Sequence, residues 1–171
     1  FFFMTDIKNK ILKLVNKNNE YVLALSGGVD SAVLASIFND LDLSYRTIFV
    51  NHNQKDSSSL QKSAEEIAKN LQTSHENIIS DIEENASETK MREKRYGLLF
   101  DNLRKDEILV TGHHKDDKVE TFLINLFRGT RLKGLTSIKA KNDNLLRPLI
   151  NTNKSEICLL YTSPSPRDVR S

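Results

Sequence analysis

The sequence predicts an α/β fold, in which a Rossmann-like parallel sheet is sandwiched by helices. Short apolar runs of strand length alternate along the chain with longer segments whose apolar residues recur every three or four positions. Some of the short runs are apolar at nearly every position, which is typical of parallel strands covered on both faces. Strands that alternate with amphipathic helices favour right-handed βαβ units and therefore a parallel sheet.

The composition is that of one globular domain and names no partner by charge. Of the 171 residues 38% are hydrophobic, which is enough for a core at this size. The 25 basic and 23 acidic residues leave a net charge of only +2. No apolar run approaches the ~20 residues that cross a membrane, so we expect no membrane partner. The single cysteine, Cys158, excludes an internal disulfide or a cysteine-ligated metal site and agrees with a reducing, cytoplasmic location.

We expect the native domain to span residues 4–157. The three phenylalanines before Met4 lack the flanking features of a signal peptide, and we interpret them as read-through from upstream. Residues 158–171, CLLYTSPSPRDVRS, resemble translated adapter sequence, and we interpret them as a non-native tail. A native disordered tail is the alternative, and in both cases we expect the natural protein to continue beyond Ile157.

The first half of the chain predicts three helices and two strands. A helix opens the domain because four apolar residues have helical spacing: Ile7, Ile11, Leu14 and Val15. An apolar run at 21–25 predicts the first strand, and a helix from about Ser31 follows with one apolar face: Val33, Leu34, Ile37, Phe38 and Leu41. The run at 45–50 predicts the second strand, and the next helix carries its own stripe: Leu60, Ala64, Ile67, Ala68 and Leu71.

The second half continues the alternation. Segment 74–80, SHENIIS, is the weakest predicted strand, and the acidic stretch 81–88 is predicted to be a solvated loop. A helix over about 89–103 is expected to bury four apolar residues: Tyr96, Leu99, Phe100 and Leu103. The fourth strand is 108–111, and a last helix follows from the spacing of Val119, Phe122, Leu123, Leu126 and Phe127.

Polar segments follow three of these strands, at 26–31, 51–55 and 112–117. The carboxyl ends of parallel strands meet at one edge of a sheet, and ligands of such sheets bind there. The sequence therefore predicts that the three segments share one rim.

The first of these segments, Ser26-Gly27-Gly28-Val29-Asp30-Ser31, is the strongest candidate for an anion site. It lacks the lysine of a Walker A loop and the glycine spacing of a dinucleotide fingerprint. The glycine pair allows a tight turn, the following helix brings a partial positive charge, and both serines can donate to phosphate oxygens. The carboxylate of Asp30 would repel a bare phosphate, which predicts a bridging Mg²⁺ ion held by Asp30. The alternative is that Asp30 or Ser31 only caps a helix.

A second cluster lies in TGHHKDDKVETFLINLFRGTRLKGL, residues 111–135. His114, Asp117 and Glu120 are three residues apart at the start of a predicted helix. They are compatible with a metal site, or Asp116 or Asp117 could cap the helix with Glu120 nearby. In the interpretation that we favour, His114 and Asp117 contact a nucleotide or a target base.

Basic residues surround this cluster. Five of them, without a single Asp or Glu, lie between 121 and 142, and Arg92, Lys94 and Arg95 form a second group. They indicate RNA-phosphate contacts, with a solvated face as the alternative. Arg92 and Arg128 are also candidates to hold a triphosphate.

The turn at 26–31 resembles that of the PP-loop ATP pyrophosphatases, which cleave ATP between its α- and β-phosphates. Segment 111–135 resembles the tRNA(Ile)-lysidine synthetases within that group, as do VNH at 50–52, MREKRY at 91–96 and LLRPL at 145–149. The resemblance runs from about Tyr21 to Ile157 and implies an adenine nucleotide alpha hydrolase-like fold. The loop after the second strand departs from the family, because Lys55 stands where an arginine is usual, and lysine lacks the bidentate fork.

The resemblance also implies a ligase reaction with ATP and Mg²⁺ as cofactors. The wobble cytidine in the anticodon loop of tRNA(Ile) would attack the α-phosphate, pyrophosphate would leave, and free L-lysine would displace AMP from C2 of the base. The implied catalytic residues are Asp30 on Mg²⁺ and three groups near the α-phosphate and base: His114, Asp117 and Arg128. Asp117 is also our candidate to take a proton from the lysine amine.

Two other functions remain open at this stage. One is a PP-loop tRNA 2-thiolation enzyme, which the scarcity of cysteine disfavours, and the other is a non-catalytic nucleotide-binding fragment. A homodimer is compatible with the sequence but is not predicted by any particular residue.

Overall fold

The computed structural model describes residues 2–83, 85–112, 141–142, 145–150, 152, 155 and 157. Within them the chain forms four helices: α1 (Phe2–Leu12), α2 (Val29–Asp40), α3 (Ser57–Asn70) and α4 (Glu88–Asp101). It also forms six strands: β1 (Glu20–Leu25), β2 (Ser44–Asn51), β3 (His75–Ile79), β4 (Glu107–Val110), β5 (Lys141–Asn142) and β6 (Leu145–Leu146). The helix predicted over 119–127 and the tail 158–171 lie outside the described residues.

The six strands form one sheet in the order β3-β2-β1-β4-β6-β5. Neighbours from β3 to β6 are parallel, and only the edge pair β5–β6 is antiparallel. In the centre Tyr21 of β1 lies opposite Tyr45 of β2 and Ile108 of β4. The predicted parallel sheet is confirmed.

Helices cover both faces of the sheet, as predicted, because successive side chains of β1 point to opposite faces. Tyr21, Leu23 and Leu25 belong to a core shared with α1, α2 and α3. Val22 belongs to a second core, in which Leu99 of α4 is fully buried. The α4 face is therefore distinct from the face that the first three helices cover.

Two helix boundaries differ from the prediction. Helix α1 ends at Leu12, and the chain turns so that the Asn16 amide donates to the Tyr21 hydroxyl at 2.8 Å. Leu14 and Val15 still pack against the core, so their helical spacing reflected burial and not a longer helix. Helix α4 begins at Glu88, inside the predicted acidic loop, because Ser87 caps it.

The segments 26–31 and 51–55 lie at the same edge together with Gly112, since β1, β2 and β4 are adjacent and parallel, and residues 113–117 of the third predicted segment lie outside the described residues. The strand order reverses at β1, with β2 and β3 on one side and β4 and β6 on the other. Ligands of doubly wound sheets bind at such a switch point, outside the carboxyl ends of the strands. A ligand is therefore expected to bind in the crevice between the carboxyl ends of β1 and β4.

The opposite edge is held by a buried ion pair. Arg46 of β2 donates through Nε and Nη2 to the two carboxylate oxygens of Glu107, each at 2.9 Å. The same Nη2 donates to the carbonyl of Asn102, the C-cap of α4, at 2.8 Å. This contact fixes the last turn of α4 at the amino edge, so that the first half of α4 lies at the carboxyl edge.

Among the described residues, no helix combines the length and the apolar character needed to cross a bilayer.

Candidate functional site

A cavity of about 140 Å³ lies at the carboxyl edge of the sheet, at the switch point. It is bounded by the end of β1, the first turn of α2, the first half of α4 and the end of β4. Its lining consists of eleven residues: Ala24, Leu25, Ser26, Asp30, Ser31, Arg92, Arg95, Tyr96, Leu99, Thr111 and Gly112. The cavity thus joins the predicted anion turn to part of the second basic group.

Two serines tie the ends of the turn together. The Ser26 amide donates to Ser31 Oγ at 3.0 Å, and the two hydroxyl oxygens are 3.2 Å apart. The Gly28 amide donates to Ser26 Oγ at 3.2 Å. The serines were predicted as phosphate donors, and here they also organise the turn before any ligand is bound.

Gly27 is required at its position for two reasons. Its φ of +79° is in the left-handed region, which side chains disfavour. A Cβ at this position would also lie 2.7 Å from the carbonyl oxygen of Leu60 in α3. The turn can therefore press directly against the backbone of α3.

The first turn of α2 presents its amides to the cavity edge. The N-cap is Gly28, which has no side chain to cap the helix, and the first intrahelical bond runs from the Ala32 amide to the Gly28 carbonyl at 3.3 Å. An α-helix leaves its leading amides without helical carbonyl partners, and these carry the positive end of the macrodipole. The alternative in which Asp30 or Ser31 is the cap is wrong, because both lie inside the helix.

Gly112 brings the end of β4 against this helix start. A Cβ on Gly112 would lie 3.2 Å from the Ser31 amide nitrogen and 3.3 Å from the Asp30 carbonyl carbon. Sequence reasoning treated Gly112 only as part of a polar segment and missed this close approach. A glycine directly after a buried strand was the signal that could have revealed it.

Tyr96 is the centre of the α4 wall. Burial raises the pKa of its hydroxyl, and the charge of Arg147, a hydrogen bond with the Thr111 side chain, and the charges of Arg95 and Arg92 act in the opposite direction. Three guanidinium groups therefore lie near one phenol. The sequence pointed to Arg92 and Arg95, but it did not assign a role to the Tyr96 hydroxyl or to Arg147.

His52 follows β2 at the same edge. Both of its ring nitrogens are buried and have no hydrogen-bond partner among the described residues. Burial lowers the pKa of the imidazole, and the positive charge of Arg95 lowers it further. Both effects favour the neutral form of His52. Lys55, which stands in place of the family's arginine, is exposed and lies outside the cavity lining.

The predicted catalytic residues are only partly described. Asp30 lines the cavity. His114, Asp117 and Arg128 lie outside the described residues, as do Glu120 and most of the basic stretch 121–142. Within the part of the chain that the structure describes, no three His, Cys, Asp or Glu side chains form a metal-binding group, so the assignment of Mg²⁺ to Asp30 stays a prediction.

Comparison with known proteins adds two curated relatives, both named tRNA(Ile)-lysidine synthase. The one from Actinobacillus pleuropneumoniae serotype 3 (strain JL03) is 34% identical over 145 residues, which are 80% of this chain and 34% of the relative. The one from Wigglesworthia glossinidia brevipalpis is 32% identical over 171 residues, covering 88% of this chain and 42% of the relative. The chain thus spans about a third to two fifths of the length of these relatives.

A solved structure shares the fold. The NH3-dependent NAD synthetase from Campylobacter jejuni, in complex with the nitrate ion, superposes with a TM-score of 0.57 at 19% identity, covering 98% of this chain and 73% of that one. This likeness agrees with the parallel sheet and the helices on both of its faces. A protein-family model described as a PP-loop domain matches residues 3–163. Because that match covers nearly the whole chain and includes the glycine turn between β1 and α2, the chain belongs to the ATP-binding PP-loop domain family.

Proposed function

We propose that this chain is the ATP-binding and base-activating part of an enzyme that joins lysine to C2 of the wobble cytidine of tRNA(Ile). The observation that carries the proposal is the turn of Ser26–Ser31, set between a buried strand and a helix start at the edge of a cavity. The names of the curated relatives favour lysidine formation over other reactions of PP-loop domains. A thiolation enzyme is disfavoured because the chain has one cysteine.

In this proposal the turn holds the pyrophosphate that leaves ATP. The positive end of the α2 helix dipole, at its first-turn amides, would face the β- and γ-phosphates. Because Gly27 and Gly112 have no Cβ, the turn can pack closely against α3 and the end of β4 against the start of α2. Ser26 and Ser31 keep the turn in shape and can exchange their mutual contact for phosphate oxygens. Since pyrophosphate leaves with high negative charge, holding it lowers the barrier directly.

Asp30 fits the role of a Mg²⁺ ligand by its chemistry. It is a carboxylate on the cavity wall in the first turn of α2, and Mg²⁺ is usually bound by one or two carboxylates together with phosphate oxygens. Bound there, Mg²⁺ would neutralise charge on the phosphates. Without it, Asp30 would repel the ligand that the neighbouring amides attract.

The remaining roles follow the family resemblance. The C2 carbonyl oxygen of cytidine is a weak nucleophile, so positive charge near the α-phosphate must supply much of the acceleration. We assign this role to Arg128 and to His114, and we assign Asp117 to the lysine amine, which must lose a proton before it attacks. The basic groups around Arg92 and in 121–142 would contact the anticodon loop, and such an enzyme would work in the cytoplasm.

The first test is Mg²⁺-dependent ATP binding, measured by titration calorimetry. Replacing Asp30 by Ala should weaken binding at least about tenfold, because one charge-assisted contact of this kind is worth roughly 1.5–3 kcal/mol. Asp101→Ala is the matched control, since Asp101 is an exposed acid at the far end of α4. Equal affinity of the wild type and Asp30→Ala would remove Asp30 from the site.

The second test decides between functions. Pyrophosphate release that requires tRNA(Ile) and lysine together would establish lysidine synthesis. Release that requires a sulfur donor in place of lysine would indicate a thiolation enzyme. If a full-length relative bound ATP but did not turn it over, the remaining hypothesis would be a non-catalytic nucleotide-binding module.

A further inference from the structure

A row of polar side chains crosses the α4 face of the sheet at its carboxyl edge. Residues two apart in a strand share a face, and three strands contribute a core residue to the α4 side: Val50, Leu109 and Leu145. The positions two residues further on are His52, Thr111 and Arg147. They lie beneath the first half of α4, which supplies Arg92, Arg95 and Tyr96.

Arg147 is the cationic member of this row that has an unpartnered buried atom among the described residues. Its Nε atom is buried and has no hydrogen-bond partner, and the described residues place no carboxylate at ion-pair distance from it. Burial lowers the pKa of its guanidinium, and Tyr96 is the group that opposes this effect. His52, on the same row, also has both ring nitrogens buried and unpartnered among the described residues.

Arg46 shows what a structural arginine looks like on the same face. It lies at the opposite edge, where Glu107 and the Asn102 carbonyl take its donors and Glu76 is 3.5 Å away. Hydrogen bonding to Glu107 raises the pKa of Arg46, whereas burial lowers the pKa of Arg147. A dehydrated cation is costly unless an anion accompanies it. The fold supplies that anion at one edge, and a ligand can supply it at the other.

We propose that Arg147, Arg95 and the Tyr96 hydroxyl form a second anion site, for a phosphate group, separate from the turn at the start of α2. Arg95 and Tyr96 line the cavity on its α4 side, and Arg147 lies next to Tyr96, outside the lining. Guanidinium groups bind phosphate in a bidentate manner, and a phenol hydroxyl adds a donor. Asp30, the one carboxylate among the lining residues that the structure describes, belongs to the α2 wall. The inference rests on the proposed function only in requiring that the cavity admits a phosphorylated ligand.

Two ligands could supply the phosphate, namely the nucleotide itself or the backbone of a bound RNA. The test measures the affinities of pyrophosphate, Mg-ATP and a short anticodon stem-loop RNA for the wild type, Arg147→Met and Arg147→Lys. Arg104→Met is the matched control, because Arg104 is exposed at the amino edge. We expect Arg147→Met to bind pyrophosphate as the wild type does and to lose at least about tenfold in affinity for either ATP or RNA. Arg147→Lys, which keeps the charge but loses the fork, should lie between them.

The ligand that loses affinity identifies the source of the phosphate. Unchanged affinity for both ATP and RNA in Arg147→Met would overturn the inference while leaving the proposed function intact. Failure of the wild type to bind pyrophosphate and ATP would instead contradict the proposed function, and the RNA measurement would still decide the anion site.

Thermal unfolding without ligand separates binding from a structural role. Arg147→Met removes a partly buried charge whose Nε atom has no partner among the described residues, so the melting temperature should equal that of the wild type or be higher. A clear fall in this temperature, with no loss of ligand-induced stabilisation, would show that Arg147 serves the fold and would overturn the proposal.

Discussion

At the scale of single residues, three glycines have different physical roles. Gly27 has a φ of +79°, and a Cβ added there would lie 2.7 Å from the Leu60 carbonyl oxygen, so glycine is needed to form the turn. A Cβ added to Gly112 would lie 3.2 Å from the Ser31 amide nitrogen, so glycine allows the end of β4 to lie close to the start of α2. A Cβ on Gly97 in α4 would meet nothing within 4 Å, so no contact explains that glycine.

Gly112→Ala should weaken ATP binding, because the added methyl group occupies the space beside the Ser31 amide. Overpacking of this kind costs about 1–3 kcal/mol of folding free energy. Because the methyl group would displace the Ser31 amide, we also expect a loss of roughly fivefold or more in affinity, which is about 1 kcal/mol. Gly97→Ala is the control and should raise stability by about 0.5–1 kcal/mol, since alanine favours a helix. Calorimetric titration measures the first effect and thermal unfolding the second.

If Gly112→Ala bound ATP with wild-type affinity, the amides at the start of α2 would not be the phosphate ligands.

At the scale of elements, α4 connects the two edges of the sheet. At its first turn Ser87 Oγ accepts from the Lys90 amide at 3.2 Å, and at its last turn the Asn102 carbonyl accepts from Arg46. Between these contacts Leu99 is buried in the core. The helix is therefore held in the position that places Arg92 and Arg95 on the cavity.

Glu107→Ala should destabilise the protein by about 3–5 kcal/mol, because it leaves Arg46 buried without its main partner. Glu76→Ala is the matched control, since Glu76 is half exposed, 3.5 Å from Arg46, and should cost less than about 1 kcal/mol. Urea unfolding of both variants measures the difference. Equal losses would mean that the pair with Glu107 contributes no more than a surface contact.

The same pair predicts the direction of an acid effect. Hydrogen bonding to Arg46 holds the pKa of Glu107 below its ordinary value of 4.5. The unfolded chain therefore takes up this proton first, so the stabilisation is complete above about pH 4.5 and is lost as the pH falls toward the lower folded pKa. Glu107→Gln should flatten this part of the stability curve. An unchanged slope below pH 4.5 would show that other carboxylates produce the acid effect.

At the scale of the whole molecule, the two edges of the sheet have separate tasks. The amino edge carries the buried ion pair, and the carboxyl edge carries the cavity at the point where the strand order reverses. In the proposed function the first amides of α2 at the carboxyl edge bind the ligand, whereas the polar groups of Arg46 and Glu107 at the amino edge bond to each other. Ligand binding should therefore change the protection of backbone amides at the carboxyl edge only.

Hydrogen exchange measured by mass spectrometry tests this division. Mg-ATP should slow exchange in peptides that contain residues 26–32 and 111–112, because the ligand covers their amides. Peptides around Arg46 and Glu107 should exchange as before. Asp30→Ala is the control that should lose the protection, and uniform protection of both edges would indicate global stabilisation in place of local contact.

Much of the fold could be predicted from the sequence because the main elements have clear periods. The strands at 21–25, 45–50 and 108–111 and the helices α2 and α3 appear within a few residues of their predicted limits. The pair β5–β6 was not predicted, because two-residue strands show no period. The candidate site residues in the turn could be predicted, because the role of each residue type there depends on its neighbours in sequence. Tyr96 and Arg147 could not be predicted as site residues, because they are brought together only by the packing of α4 against the end of β6.

The sequence by itself determined the alternation of strands and helices and the identity of the glycine turn, since both depend on neighbours along the chain. Only the tertiary structure decided that Gly112 touches the start of α2, that Arg46 is paired, and that the buried Nε atom of Arg147 has no hydrogen-bond partner in the part of the chain that the structure describes. The physical reason is that burial and ion pairing depend on distances between strands that are far apart in sequence. Two arginines that look alike in the chain therefore acquire opposite electrostatic environments at the two ends of one sheet.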